Sequence, residues 1–393
     1  MIHNLSFKNF YSFMEETAID LAVNKNTPDT DAYFTDVFGN KLTKLMAFIG
    51  PNASGKTNLL KCLSFISWFV QNSFSDSKPN EEIAFKPFLF CSKIEPSNFN
   101  IEFETNNKIY KYELEMTVEK VLSEKLSLKG KRFKVLFERI WDKEKNKYNF
   151  NFKRFSVPTN FSQMVRNNAS IISTARQVNH PLSLEIIRYF TSVQTNIIEG
   201  GKIPTEALGE AIKFYQENPA IREMAEDILN KFDIGLSKIK IDKIETQDKK
   251  ILYVATGAHK YIDNDNEILL PLQYESAGTK NLLFLLRTII VVLKNGGVAV
   301  LDEMDNDLHP FMVPEIVNLF TSKTHNPKNA QLLFSTHNVQ ILNKLDKPQI
   351  MLVEKNKKNV SEAWNLSDMK GVRADDNFYA KYMAGAYGAI PKV

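Results

Sequence analysis

The octapeptide Gly50-Pro51-Asn52-Ala53-Ser54-Gly55-Lys56-Thr57 constrains this chain more than any other stretch of it. It fits the spacing G-x-x-x-x-G-K-S/T at every position, and its flanks are of the right kind. Lys44 to Ile49 is a short apolar run that reads as a buried strand. From Lys56 to about Phe74, Leu59, Leu60, Leu63, Ile66 and Val70 fall near helical spacing. Between strand and helix, a glycine-punctuated loop lets backbone N–H groups curl around phosphate oxygens, and the helix start adds its positive end. Lys56 can then reach β- and γ-phosphates, and the Thr57 hydroxyl can ligate Mg²⁺. The expected nucleotide-binding residues are Gly50, Pro51, Asn52, Ala53, Ser54, Gly55, Lys56, Thr57 and Asn58, with ATP and Mg²⁺ as cofactors.

A second apolar run, Val298-Ala299-Val300-Leu301, ends in Asp302-Glu303. A strand end there places Asp302 beside the bound Mg²⁺, directly or through water. Glu303, one residue further out, can orient and activate a water attacking the γ-phosphate. A third run, Gln331-Leu332-Leu333-Phe334, ends in Ser335-Thr336-His337. His337 at that strand end can contact the γ-phosphate or its attacking water. Glu303, His337 and Lys56 are therefore the expected catalytic residues, and Thr57 and Asp302 the expected metal ligands. Before the apolar helix Asn281–Leu293 stands Glu275-Ser276-Ala277-Gly278-Thr279. By itself this is an ordinary helix cap; hydroxyl, free N–H groups and dipole also make an anion site.

Strand–helix alternation at both ends, around a different middle, predicts an α/β domain carrying an insertion. Residues 1–155 are expected to form a lobe holding the phosphate loop and an antiparallel β-subdomain, from alternating segments such as Phe99–Glu104 and Lys108–Leu114. Residues 156–234 read as a compact helical insertion, and 235–393 as a second lobe with the two later strands. Pro158, Pro181, Pro204 and Pro219 interrupt the middle, which lacks sustained heptads, so long coiled-coil arms are excluded. With 43% hydrophobic and 24% charged residues the chain is not disordered or fibrous. Cys62 and Cys91 cannot make a disulfide framework and suit a reducing compartment. The start carries no basic segment leading into an apolar core, and Leu282–Leu293, interrupted by Arg287, is too short for a membrane span of about 20 residues. A soluble, cytoplasmic protein without a membrane partner is expected.

The order G-P-N-A-S-G-K-T, S-A-G-T, V-A-V-L-D-E, L-H-P and S-T-H resembles the ABC-type ATPase heads of the SMC, RecF and OLD-like group. In particular it looks like the stand-alone OLD-like ATPase subunits of bacterial phage-defence systems, the RloA-, AbiL- and AriA-like proteins of abortive-infection and PARIS-type systems. Asn52, Leu308-His309-Pro310 and the ending Gly385-Ala386-Tyr387-Gly388-Ala389-Ile390-Pro391 are similar to theirs. The resemblance covers about Met1 to Phe88 and Gly235 to Val393. It implies a P-loop ABC-type head in which Ser276, Gly278 and Thr279 of one copy meet the γ-phosphate held by another. ATP then glues an isologous pair, or a higher oligomer of paired heads, and hydrolysis loosens it. Two departures stand out: Ala277 and Thr279 replace the usual signature Gly and Gln, and no Gln lies near Phe85-Lys86-Pro87-Phe88 for a Q-loop.

Related nucleases continue into a Toprim domain. Val353-Glu354-Lys355 echoes its first strand, but no D-x-D pair follows on a strand, and Asp375-Asp376 is a poor substitute. The expected effector is thus a separate protein, possibly a Toprim-like nuclease, controlled in anti-phage defence. The competing reading is a DNA-repair or chromosome-structure ATPase that grips DNA itself. Its support is Lys125–Arg154, with eleven basic against three acidic residues and six interleaved aromatics, followed by Phe155. Such a run also fits a solvated sheet face whose aromatics point inward. The net charge of +4 does not by itself argue for nucleic acid.

Overall fold

Three short apolar runs have no polar face to offer water, so they form strands covered on both sides. In the computed structural model they are β5 (Leu45–Ile49), β17 (Val298–Leu301) and β18 (Gln331–Ser335). Every residue of the three is buried. The structure describes residues 1–93, 95–202, 208–232, 235–245, 249, 251–264 and 266–391. β11 (Val193–Thr195), β19 (Ile350–Lys355) and β20 (Ser361–Asn365) complete a sheet of order β11-β17-β18-β5-β19-β20, parallel except for β20 at its edge. Alternate residues along these strands feed two cores. Met46, Phe48, Val298, Val300 and Leu333 face one, while Leu45, Ala47, Ile49, Ala299, Leu301 and Leu332 face the other.

The first core lies against an antiparallel sheet of order β10-β9-β8-β7-β6-β1-β2. Its strands are β1 (Ile2–Lys8), β2 (Thr17–Asp20), β6 (Ser97–Thr105), β7 (Lys108–Met116), β8 (Val121–Lys129), β9 (Phe133–Asp142) and β10 (Lys147–Asn151). Helix α1 (Lys56–Asp76) is buried in this core along Leu59, Leu63, Ile66 and Val70. The second core holds α7 (Ala277–Asn295) and α8 (Met312–Thr321), with α5 (Leu208–Glu217) and α6 (Pro219–Lys231) packed on α7. Smaller elements are the hairpins β3 (Tyr33–Thr35) with β4 (Lys41–Thr43) and β12 (Ile197–Ile198) with β13 (Gly201–Lys202), and a three-stranded sheet of β14 (Lys238–Glu245), β15 (Ile251–Lys260) and β16 (Glu267–Pro271). The expected fold class, a mixed α/β P-loop head with an antiparallel β-subdomain and no long coiled coil, agrees with this architecture among the described residues.

The first part of the expected insertion, 156–234, packs into the same core as the lobe before it. Helices α2 (Phe161–Met164), α3 (Ile171–Arg176) and α4 (Pro181–Thr191) contribute Phe161, Ile171, Ile172, Ile186 and Phe190 to the first core. β11 then pairs with β17 in the central sheet. Part of the supposed insertion is therefore core, because its apolar faces cover α1. Residues 203–207 and 233–234 of that segment lie outside the described residues.

The basic stretch Lys125–Arg154 follows β8 to β10 and beyond. Arg139 lies fully buried, 2.7 Å from Glu124. It donates to the Arg166 and Ala169 carbonyls. Phe137 and Phe155 are core residues; Phe150 and Phe152 pack against the same core, and the Tyr148 hydroxyl donates to the Val121 carbonyl. Most of these aromatics face inward, so the sheet-face reading describes them. A chain of small helices and strands then closes the molecule with α9 (Phe378–Met383).

Candidate functional site

The phosphate loop joins β5 to α1, and its backbone is held from behind. Ala53 (φ 60°) and Gly55 (φ 113°) take left-handed conformations that curl the loop. A side chain at Gly50 would run into the Val353 carbonyl of β19, so the loop starts against the neighbouring strand. The Ser361 hydroxyl donates to the Ser54 carbonyl at 2.6 Å and meets the Ser12 hydroxyl at 2.8 Å. Asn58 donates its amide to that same Ser12 oxygen at 2.9 Å. Asn58 was expected among the nucleotide-binding residues; it lines the cavity over the loop while its amide ties the loop to β1's turn.

The Lys56 ammonium lies inside the loop, donating to the Gly50 and Pro51 carbonyls at 2.8 and 2.9 Å. Burial pushes its pKa down, and the carboxylates of Asp302, Glu303 and Asp305 act the other way. At the first turn of α1 the Thr57 hydroxyl donates to Asp302 Oδ2 at 2.7 Å. Asp302 is buried and held on every side. Ser335 donates to its Oδ1 at 2.5 Å, and Asn196 brackets its backbone, accepting from its N–H at 2.8 Å and donating to its carbonyl at 2.9 Å. A hydroxyl and a carboxylate oxygen so close together are hard donors of the kind Mg²⁺ takes alongside phosphate and water.

Glu303 follows in a left-handed conformation (φ 45°), its N–H donating to the Ser335 hydroxyl at 2.7 Å. A non-glycine residue there is strained, and such strain gathers at functional sites. Its Oε1 lies 3.8 Å from His337 Nε2, and both side chains are about two-fifths exposed. The His337 N–H is anchored on the Asp305 carboxylate at 3.1 Å. Asn52 to Asn58, Asp302, Glu303, His337 and Lys355 together line a cavity of about 420 Å³.

Ser276, Gly278 and Thr279 do not line that cavity. Ser276 caps α7, its hydroxyl accepting from the Thr279 N–H at 3.0 Å and meeting the Thr279 hydroxyl at 2.9 Å. Gly278 sits where a methyl would strike the Asp307 carbonyl, and Asn281 donates to the Asn306 carbonyl. The start of α7 is thereby fixed to the segment that follows Glu303. Sequence reasoning missed Asn196, Ser335, Ser12, Ser361 and Lys355. Ser335 adjoins Thr336-His337 and was within reach. Asn196 and Ser361 carry no local pattern; only the strand pairing brings them to the site.

The family model described as "AAA domain, putative AbiEii toxin, Type IV TA system" matches residues 45–343. No curated protein matches the sequence. Among solved structures, the chain is similar to an Smc head bound to the C-winged helix domain of ScpA, at 12% identity over 92% of this chain and 96% of that one, with a TM-score of 0.47. It is also similar to the Smc head domain with a coiled coil and joint from Pyrococcus yayanosii, at 11% identity over 98% and 99% of the two chains, with a TM-score of 0.46. The family match runs from the strand before the phosphate loop to beyond His337 and covers well over half of the sequence: the chain is an ATPase of the AAA type and belongs to the family of AAA domains described as putative AbiEii toxin, Type IV TA system.

Proposed function

We propose that this ATPase binds ATP–Mg²⁺ over Gly50–Asn58 and closes head to head with a second copy, so that hydrolysis switches a partner effector in phage defence. In this reading Lys56 turns from the loop carbonyls to the β- and γ-phosphates. Thr57 and Asp302 hold Mg²⁺, which shields phosphate charge. Glu303 orients the attacking water, and His337 faces the γ-phosphate. Ser276, Gly278 and Thr279 serve the partner's nucleotide.

The observation that carries the reading is the split geometry. Thr57, Asp302, Glu303 and His337 converge on one cavity, while Ser276 stands exposed elsewhere as the cap of an otherwise buried helix. Half of a phosphate site is well built, and Ser276 of the other half faces outward, which suits assembly across a two-fold axis. The defence role and a separate effector, possibly a Toprim-like nuclease, draw on the resemblance of the motifs and on a family description that names a toxin. Direct DNA gripping is less well supported, since the aromatics of Lys125–Arg154 mostly pack inward and cannot stack on bases.

The test is Glu303→Gln with ATP–Mg²⁺, followed by light scattering and phosphate release. Expected is a stable dimer or larger particle with retained ATP and phosphate release slowed at least about a hundredfold. Lys56→Ala should bind no ATP and stay at the size of the nucleotide-free protein. Wild-type turnover by Glu303→Gln, or ATP-loaded particles that remain single chains, would refute the proposal.

A further inference from the structure

Strand β19 ends at Lys355 beside the phosphate loop. Lys355 lines the 420 Å³ cavity and also an adjoining one of about 700 Å³ whose walls include Thr336, Val339, Tyr382 and Pro391. It is half-buried, and its ammonium has no hydrogen bond or ion pair among the described residues, although its backbone pairs with β20. Its neighbours are committed: Glu354 accepts from the Ala389 N–H at 3.0 Å, and Asn356 donates to Glu362 at 2.7 Å. Lys56 in the same cavity is satisfied by two carbonyls. A partly desolvated ammonium without an acceptor, on the wall of a phosphate site, is poised for an anion that is not part of the chain.

Its place along the loop is also defined. Gly55, Lys56, Thr57 and Asn58 line the smaller cavity only, whereas Asn52, Ala53, Ser54, His337 and Lys355 line both. Lys355 therefore stands with His337 at the end of the loop remote from α1. Its backbone is fixed there. β19 abuts Gly50 through the Val353 carbonyl, and the residue opposite Lys355 on β20, Ser361, bonds the Ser54 carbonyl.

We propose that Lys355 binds the γ-phosphate of the nucleotide in its own chain and so distinguishes triphosphate from diphosphate. The proposal rests on the nucleotide reading above and adds a residue which that reading does not use. Asp302 and Glu303 line the same cavity, so Lys355 adds positive charge to a wall that also carries acids. Loss of the γ-phosphate frees it again.

The experiment is calorimetric titration of wild type, Lys355→Ala, Lys355→Arg and Lys56→Ala with the β,γ-imido analogue of ATP and with ADP, both with Mg²⁺. Lys355→Ala should weaken the triphosphate analogue by roughly ten- to a hundredfold, the worth of one charged hydrogen bond, and leave ADP within about twofold. Lys355→Arg should restore most of the difference. Equal losses for both nucleotides, or none for either, would overturn the proposal, as would failure of the arginine variant to recover any of it. Lys355→Gln replaces the alanine variant if that one does not fold. Analogue binding by wild type but not by Lys56→Ala keeps the nucleotide reading whatever Lys355 does; a wild type that binds neither nucleotide ends both.

Discussion

Gly50 shows how much of the site is decided by single atoms. The motif demands a glycine there, and the structure gives a reason that belongs to this fold: the first loop residue is pressed against the Val353 carbonyl. Gly50→Ala is expected to destabilise the protein by about 1–3 kcal/mol, because neither backbone can withdraw. Gly209→Ala, in α5 with open space around it, should leave stability unchanged or raise it by up to about 1 kcal/mol. Urea unfolding of the two variants checks this, and equal midpoints would contradict the packing account. At this scale the sequence was readable where chemistry fixes spacing. Lys56, Thr57, Asp302, Glu303 and His337 were all named from motif and strand ends, and they share one cavity. It was not readable where a residue serves another's posture. Ser335 and Asn196 hold Asp302 from β18 and from just after β11, and Ser12 and Ser361 brace the loop from the turn after β1 and from β20, far apart in the chain.

At the scale of elements, alternation foretold the antiparallel strands but not what lies between them. Glu124 on β8 and Arg139 on β9 are fully buried, and Glu124 also accepts from the Tyr112 hydroxyl at 2.9 Å and the Ile171 N–H at 2.9 Å. Burial pushes the Glu124 carboxyl up, while Arg139 and these donors oppose that. Arg139→Met strands the carboxylate and should cost about 3–5 kcal/mol. Glu124→Leu combined with Arg139→Met should cost less than that single change, since no buried charge remains. Chemical unfolding of the two variants decides it, and a double variant worse than the single one would show that the pair itself is indispensable. In the sequence Arg139 was one cation in a run of eleven. Period-two patterning assigns a side chain to a face, but a charge on the inward face looks like any other charge until its partner strand is known. The same limit hid how α3 and α4 pack: helical spacing is local, and which apolar face covers α1 is a tertiary fact.

For the whole molecule the consequence of the proposed split site is that two defective copies should repair each other. In the proposed pair there are two composite sites, each drawing Lys56 from one copy and Ser276 from the other. Lys56→Ala spoils the nucleotide side of its own chain, and Ser276→Arg spoils the surface it offers to a partner. Alone, neither variant can assemble an intact site. Mixed one to one, half of the pairs are mixed, and each of these carries one intact site and one doubly defective site. Activity should therefore rise from near zero to at most about a quarter of the wild-type rate. Phosphate release measured across the mixing ratio should peak near equal amounts. Two independent heads predict no rise at any ratio, because Lys56→Ala cannot bind and Ser276→Arg, if it acts alone, would already have been active before mixing. Ser276 itself is exposed and its helix is fixed to the segment after Glu303, so the substitution has room to project without disturbing the core. Recovery on mixing would thus place the serine of one chain at the phosphate of the other, a relation that no distance within a single chain can express.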